Sequence, residues 1–345
     1  MVGSRRAEIP LTDASRADMP AQPGPPSLFS GWWSGRIHGT GSRYSNIARR
    51  AADPNSSAFS TFRSVRAYTD IVSHNTVELY QPHLDALCSS HTDLVSERLW
   101  SSLVLIDAIG GPQRSLVEAC NGTRRLGLAT GAMVRFICTI GRMLDTFGQL
   151  RVPKAHTRAP FDGWEVCEIG GGFAGMAHAV LSYSKGRARY RIFDLPEAAA
   201  LQRRILSAVG WRQGEHFDAL SIDFAAPPPE PACDLVYSSY ALTELTASLQ
   251  LSYVRHLLSR ARVGAFIVVN SRRVDFLPPM RDAGFASVVQ AEIHRPRRAE
   301  RFNHIQALFA PGWNTSYGHH DELGHGARRR NPAGRDGEAP RLVHL

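Results

Sequence analysis

The chain has 345 residues, 43% of them hydrophobic, with 40 Lys and Arg against 31 Asp and Glu and a formal net charge of +9. That much apolar material fills one sizeable core with room for ragged ends, and no apolar run approaches the ~20 residues of a spanning helix. The cations are nearly all Arg, with Lys only at 154 and 185, and no basic helix face carries interleaved aromatics, so the charge points to neither nucleic acid nor membrane as a partner.

Residues 1–55, rich in Pro, Gly, Ser and Arg and including "PAQPGPPS", have too few spaced apolar residues for a core and are expected to be disordered. Residues 56–155 change character. "LVSERLWSSLVLIDAI" and "GAMVRFICTIGRMLDTFGQL" place apolar side chains three and four apart, which predicts a helical N-terminal region. From 156 to 313 short β-rich runs alternate with amphipathic segments. Strands are predicted over 164–169, 188–193, 216–222, 234–238 and 265–270, and helices over 173–184, 196–209 and 249–261, the second begun by Pro196. "MRDAGFASVVQAEIH" and "RFNHIQALFAP" add a helix end and two last strands. Such alternation predicts an α/β fold with a doubly wound, mostly parallel sheet. Residues 314–345 lose apolar spacing and read as a disordered Arg/His/Gly-rich tail. Its "GHHDELGH" has no element to fix the imidazoles, so no metal site is expected.

Cys88, Cys120, Cys138, Cys167 and Cys233 are scattered singly, mostly in apolar runs, which predicts reduced core thiols and a reducing compartment. With no apolar h-region near the N-terminus, a cytoplasmic protein is expected.

The chemistry concentrates after the first strand of the α/β part. In "WEVCEIGGGFAGMAHAVL", Gly170, Gly172 and Gly175 have the G-x-G-x-x-G spacing of a dinucleotide cradle, yet Glu168 stands two residues ahead. A pyrophosphate at that turn would be repelled by a carboxylate. The sulfonium and ammonium of S-adenosylmethionine (SAM) would be attracted, while the ribose still needs close backbone approach. Asp194, in "YRIFDLPE" at the end of the second strand, is placed to accept the ribose hydroxyls. Asp223, in "SIDFAA" at the end of the third, is placed to hold the adenine amino group, with Phe224 packing on the ring.

Taken together, "EIGGGFAG", "YRIFDLPEAAALQ", "DLVYSSYALTEL" and "GAFIVVN" resemble the class I SAM-dependent methyltransferases, and more narrowly the bacterial sugar O-methyltransferases, over residues 60–311. The resemblance implies a Rossmann-like sheet of seven strands with the last antiparallel, SAM as cofactor, and methyl transfer to a hydroxyl of a sugar or glycosylated small molecule. It implies a cofactor strip of Glu168, Gly170, Gly171, Gly172, Phe173, Gly175, Asp194, Leu195, Asp223, Phe224 and Ser238. Residues after the fourth strand face the methyl group in such proteins, which brings forward Glu244 as the base and Tyr240 as a shaping residue. Arg135 and Asn270 are candidates for contacting the acceptor. One position departs from the family pattern: Ala174 stands where Gly is usual, which matters if positive φ is required there. Two other classes stay open, an NAD-dependent oxidoreductase using the glycine turn and a methyltransferase-like binding protein without turnover.

Overall fold

The computed structural model describes residues 46–62, 96–109, 116–118, 128–149, 161–222, 233–270, 280, 282, 285–293, 304–311 and 341–344. Helix α1 (residues 46–52) lies inside the segment expected to be disordered. It is held by a cation from the α/β part: Arg204 Nη1 donates to the carbonyls of Ala51 (2.8 Å) and Asp53 (2.6 Å), and its guanidinium sits 4.0 Å over the Phe59 ring. Polarity masked this helix in the sequence, because the two side chains it buries, Ala48 and Ala51, are small.

Helix α2 (Glu97–Ala108) starts at Ser96, whose hydroxyl accepts from the Leu99 amide. The short strands β1 (Leu116–Glu118) and β2 (Leu128–Thr130) pair antiparallel ahead of α3 (Gly131–Gln149), inside a region expected to be helical. One turn between helices is too short a signal for a period to expose.

The alternating runs then fold in the expected order, β3 (Glu165–Ile169), α4 (Gly175–Tyr183), β4 (Arg189–Asp194), α5 (Pro196–Ala208), β5 (Phe217–Ser221), β6 (Leu235–Ser239), α7 (Ala247–His256) and β7 (Gly264–Asn270), with one short helix that was not expected, α6 (Ala241–Glu244), after β6. Two further strands follow, β8 (Phe285–Ile293) and β9 (His304–Pro311), and a last one, β10 (Arg341–His344). The sheet order is β10-β8-β9-β7-β6-β3-β4-β5. β5, β4, β3, β6 and β7 are mutually parallel, while β9 is antiparallel to both β7 and β8. Among the described residues this sheet has eight strands where seven were expected. The addition is β10, from the tail expected to be disordered, which covers the open edge of β8 antiparallel.

Alternation along the strands divides the buried residues between two faces. Val166, Tyr190, Ile192 and Tyr237 join side chains from α2, α3, α4 and α5 in one cluster, so the N-terminal helices and the sheet share a core. Cys167, Ile169, Phe193 and Val236 pack with α7 on the other face. A buried polar knot pins the N-terminal helices to that first face. Trp211 Nε1 donates to His178 Nδ1 (2.9 Å), so the imidazole proton sits on Nε2, which donates to the Ser102 carbonyl (2.8 Å). Burial pushes His178 down to about 4 from 6.5, and the stability of this neutral arrangement is lost as pH falls through that window.

The cysteine expectation is overturned at one pair. Cys167 and Cys233 are disulfide-bonded across a Cα separation of 5.9 Å, while Cys138 is free and buried. Sixty-six residues separate the two in the chain, and only the parallel pairing of β3 with β6 brings them together. The expectation of a reducing compartment, and with it a cytoplasmic one, loses this support. No helix among the described residues is long and apolar enough to cross a membrane.

Closing a loop of that length stabilises by about 2–4 kcal/mol, so Cys233→Ala should lower the melting temperature by several degrees under non-reducing conditions and lose that difference in reductant. Alkylation of Cys167 and Cys233 in the unreduced, denatured protein would contradict the bridge.

Candidate functional site

Strand order reverses between β3 and β6, and in a parallel sheet the carboxyl ends flanking such a switch point form the ligand crevice. The amino ends are closed by ion pairs, Arg191 with Glu165 (2.5 Å) and Arg262 with Asp234 (2.6 Å). At the carboxyl ends lie the glycine turn after β3, Asp194 and Leu195 after β4, and Tyr240 after β6.

The turn is tight because its neighbours are. Gly170 has φ +74°, and a Cβ there would lie 2.1 Å from the Cβ of Ala241 across the crevice. Gly172 is also at positive φ, and a Cβ there would meet nothing within 4 Å, so this is the open side of the turn. The third glycine has another cause. A Cβ on Gly175 would lie 2.2 Å from the ring of Phe136, which packs at 5.9 Å from the Phe173 ring. Gly175 is therefore demanded by helix α3 of the N-terminal region.

Ala174 occupies the left-handed region (φ 65°, ψ 24°) and is fully buried. It still makes the turn's hydrogen bonds: its amide donates to the Gly171 carbonyl (2.8 Å), and its carbonyl accepts from His178 (3.0 Å). The position does require positive φ, and alanine meets it.

Beneath the turn sit two buried carboxyls. Glu168 accepts a hydrogen bond from the Tyr190 hydroxyl (3.0 Å), and its Oε2 would lie 3.3 Å from a Cβ on Gly171. Burial pushes it up to about 8, against the Tyr190 hydrogen bond; nearby Asp194 raises it further and Arg135 lowers it. Asp194 is raised to about 6, again by burial first, opposed by hydrogen bonds from Leu195, Gln202 and the amides of Gly171 and Gly172. Its two oxygens are engaged separately: Leu195 N donates to Oδ1 (2.8 Å) and Gln202 Nε2 to Oδ2 (2.7 Å). The amides of Gly171 and Gly172 bear on the same carboxyl, so it is held from the turn as well as from α5. At neutral pH Glu168 is thus largely protonated. The charge that weighed against a pyrophosphate in the sequence is therefore largely absent at neutral pH.

The other predicted residues fall as follows. Tyr240, half-buried against the first core face, holds φ 66° and ψ −35°, strained for a bulky residue. Ser238 is fully buried; its hydroxyl donates to the Ile169 carbonyl (3.2 Å) and accepts from Leu242 N (3.1 Å), so it aligns the end of β3 with α6. Arg135 lies half-buried on α3, 5.1 Å over the Phe136 ring and near enough to Glu168 to favour its charged form. Glu244 ends α6, and Asn270 ends β7 opposite His304. Asp223 and Phe224, like the tail histidines, lie outside the described residues, but Ile222 just before them donates its amide to the Asp194 carbonyl (3.0 Å). Sequence reasoning missed Gln202. It lies in the second turn of α5, eight residues after Asp194 at the end of β4, and nothing in the local sequence pattern marks it.

No protein-family model matches the sequence, and no curated protein matches it. Among solved structures the chain is similar to a SAM-dependent methyltransferase from Aquifex aeolicus (13% identity, 48% of this chain and 98% of that one, TM-score 0.35). It is similar also to CurJ carbon methyltransferase (18%, 52% and 56%, TM-score 0.37) and to PigF with SAH (16%, 50% and 59%, TM-score 0.33). The match thus spans less than two thirds of the length of CurJ or PigF.

Two outcomes are expected. Folded Glu168 keeps its proton to about pH 8 whereas the ordinary carboxyl loses it near 4.5, so the empty protein loses stability as pH rises through that window. Glu168→Gln removes this loss and should melt higher than wild type above pH 8, as thermal melts across pH will show, while binding a cationic ligand more weakly. At Ala174, the strain that glycine would relieve, ~1–2 kcal/mol, is offset by loss of a buried methyl worth ~0.8 kcal/mol and by the freedom of unfolded glycine. Ala174→Gly should therefore change stability by less than ~1 kcal/mol, whereas Ala174→Val, β-branched at positive φ, should cost about 1–3 kcal/mol in denaturant titrations.

Proposed function

We propose that the protein is a SAM-dependent O-methyltransferase that methylates a hydroxyl of a sugar or glycosylated small molecule. The observation that carries the cofactor is the pair of buried carboxyls, Glu168 and Asp194, under a glycine turn with one open side. An uncompensated acid in that position is stabilised by a ligand that brings positive charge, and the ammonium and sulfonium of SAM supply it. The sugar acceptor is supported by the sequence resemblance alone.

SAM, when bound, supplies an electrophilic methyl group; the rest is done by the chain. Glu168, once ionised, would hold the ammonium, and Asp194 would receive the ribose hydroxyls. Asp223 and Phe224 take the adenine. Tyr240, on a strained backbone at the crevice, shapes the space where an acceptor hydroxyl must lie in line with the methyl, since alignment supplies much of the rate in such a displacement. Glu244 takes the hydroxyl proton, and Arg135 and Asn270 orient the acceptor. The strain at Tyr240 is the observation that supports a catalytic crevice over a binding-only protein.

Because Glu168 is largely neutral in the empty site, a dinucleotide meets less repulsion there than its sequence position suggests, and NAD belongs in the test. Calorimetry should show saturable SAM binding that tightens from pH 6 to pH 9 and no NAD binding; NAD binding without SAM binding would overturn the proposal. With SAM and a panel of sugar acceptors, S-adenosylhomocysteine should form in wild type and not in Asp194→Ala. Glu244→Gln should lower kcat by about 10²–10⁴-fold with cofactor affinity kept, and unchanged turnover would remove Glu244 from the mechanism.

A further inference from the structure

Gln202 is the one fully buried side-chain amide bonded to the site among the described residues, and the role of Asp194 proposed above makes no use of it. It projects from the second turn of α5, and its Nε2 donates both to Asp194 Oδ2 (2.7 Å) and to the Gly172 carbonyl (3.1 Å). Both partners are acceptors, which fixes which end of the amide faces them. The Gly172 carbonyl belongs to the open side of the turn. Gly171 is glycine partly for this amide: a Cβ there would lie 3.2 Å from Nε2 and 2.5 Å from Ile192 Cγ2. One side chain on α5 therefore joins the acid after β4 to the backbone after β3, the two pieces a nucleoside would have to touch together.

We infer that Gln202 is a positioning residue of the cofactor site, locking the Asp194 carboxylate to the glycine turn so that the ribose acceptors and the turn form one rigid cradle. The inference rests on Asp194 as the ribose acceptor. Its physical basis is geometric: Leu195 N holds Oδ1 and Gln202 holds Oδ2, and these two bonds fix the orientation of the carboxyl relative to the turn. A hydrogen bond to an ionised group also favours the ionised form, so the same amide keeps Asp194 able to accept.

The charged and titratable groups around Asp194 are Glu168 on β3, with Tyr190 on β4 bonded to it and Arg135 on α3 acting on it, and Tyr253 on α7, which feels the Asp194 charge. All are retained in a Gln202 variant, so their effects cancel when variant is compared with wild type at one pH.

The experiment measures SAM dissociation constants by calorimetry at pH 6.5 and pH 8.5. Gln202→Met keeps the volume and removes the donor. Losing a hydrogen bond to a charged group should weaken binding roughly tenfold or more at pH 6.5, and by clearly less at pH 8.5, where Asp194 ionises without help. A buried side chain that served only packing would weaken binding equally at both. Gln202→Glu is the second variant and retains polarity if the first does not fold. Two carboxyls sharing one proton repel as pH rises, so its affinity should fall from pH 6.5 to 8.5 while that of wild type rises. An equal loss at both pH values in Gln202→Met, or a wild-type rise with pH in Gln202→Glu, overturns the role of Gln202 alone. Wild type that binds no SAM at either pH overturns the cofactor itself.

Discussion

Two carboxyl groups buried under one backbone turn set the terms for the rest of this molecule. Glu168 and Asp194 are both buried, burial raises the proton affinity of each, and Asp194 raises that of Glu168 further. Such a pair persists only where donors converge on it. The Tyr190 hydroxyl, the Leu195 amide, the Gln202 side chain and the turn amides do so, and they come from β4, the start of α5, the middle of α5 and the turn itself. The β3–β4 register, which sets Glu168 beside Ile192 and Ile169 beside Phe193, is what allows these donors to meet.

Burial makes protonated Glu168 the favoured state at neutral pH, and in the proposed cofactor site a cation would favour the charged one, coupling binding to proton release. Perturbed acids of this kind tend to gather where binding or chemistry occurs.

The N-terminal helices belong to this site as much as to the core. Phe136 on α3 occupies the space a side chain at residue 175 would need, Arg135 beside it bears on Glu168, and the His178 knot fastens α2 to α4. The third glycine of G-x-G-x-x-G is thus explained by Phe136, about forty residues before it in the chain. No spacing rule applied to the motif alone leads to Phe136.

Local pattern by itself determined the order of strands and helices from residue 161 to 270, the position of the glycine turn, and the acids Glu168 and Asp194 at strand ends, because period and turn chemistry act over a few residues and leave their mark in the sequence. Helix α1, held by Arg204 from α5, and β10, which covers the β8 edge, were invisible for the opposite reason: short polar segments acquire structure from partners far along the chain. Only the tertiary structure decided that Cys167 meets Cys233, that Ser238 bridges β3 to α6, that Gln202 grips Asp194, and that Glu168 is neutral in the empty site. Each of these depends on distance and burial, and a sequence sets residue types in order without setting which of them come to share a region of low dielectric.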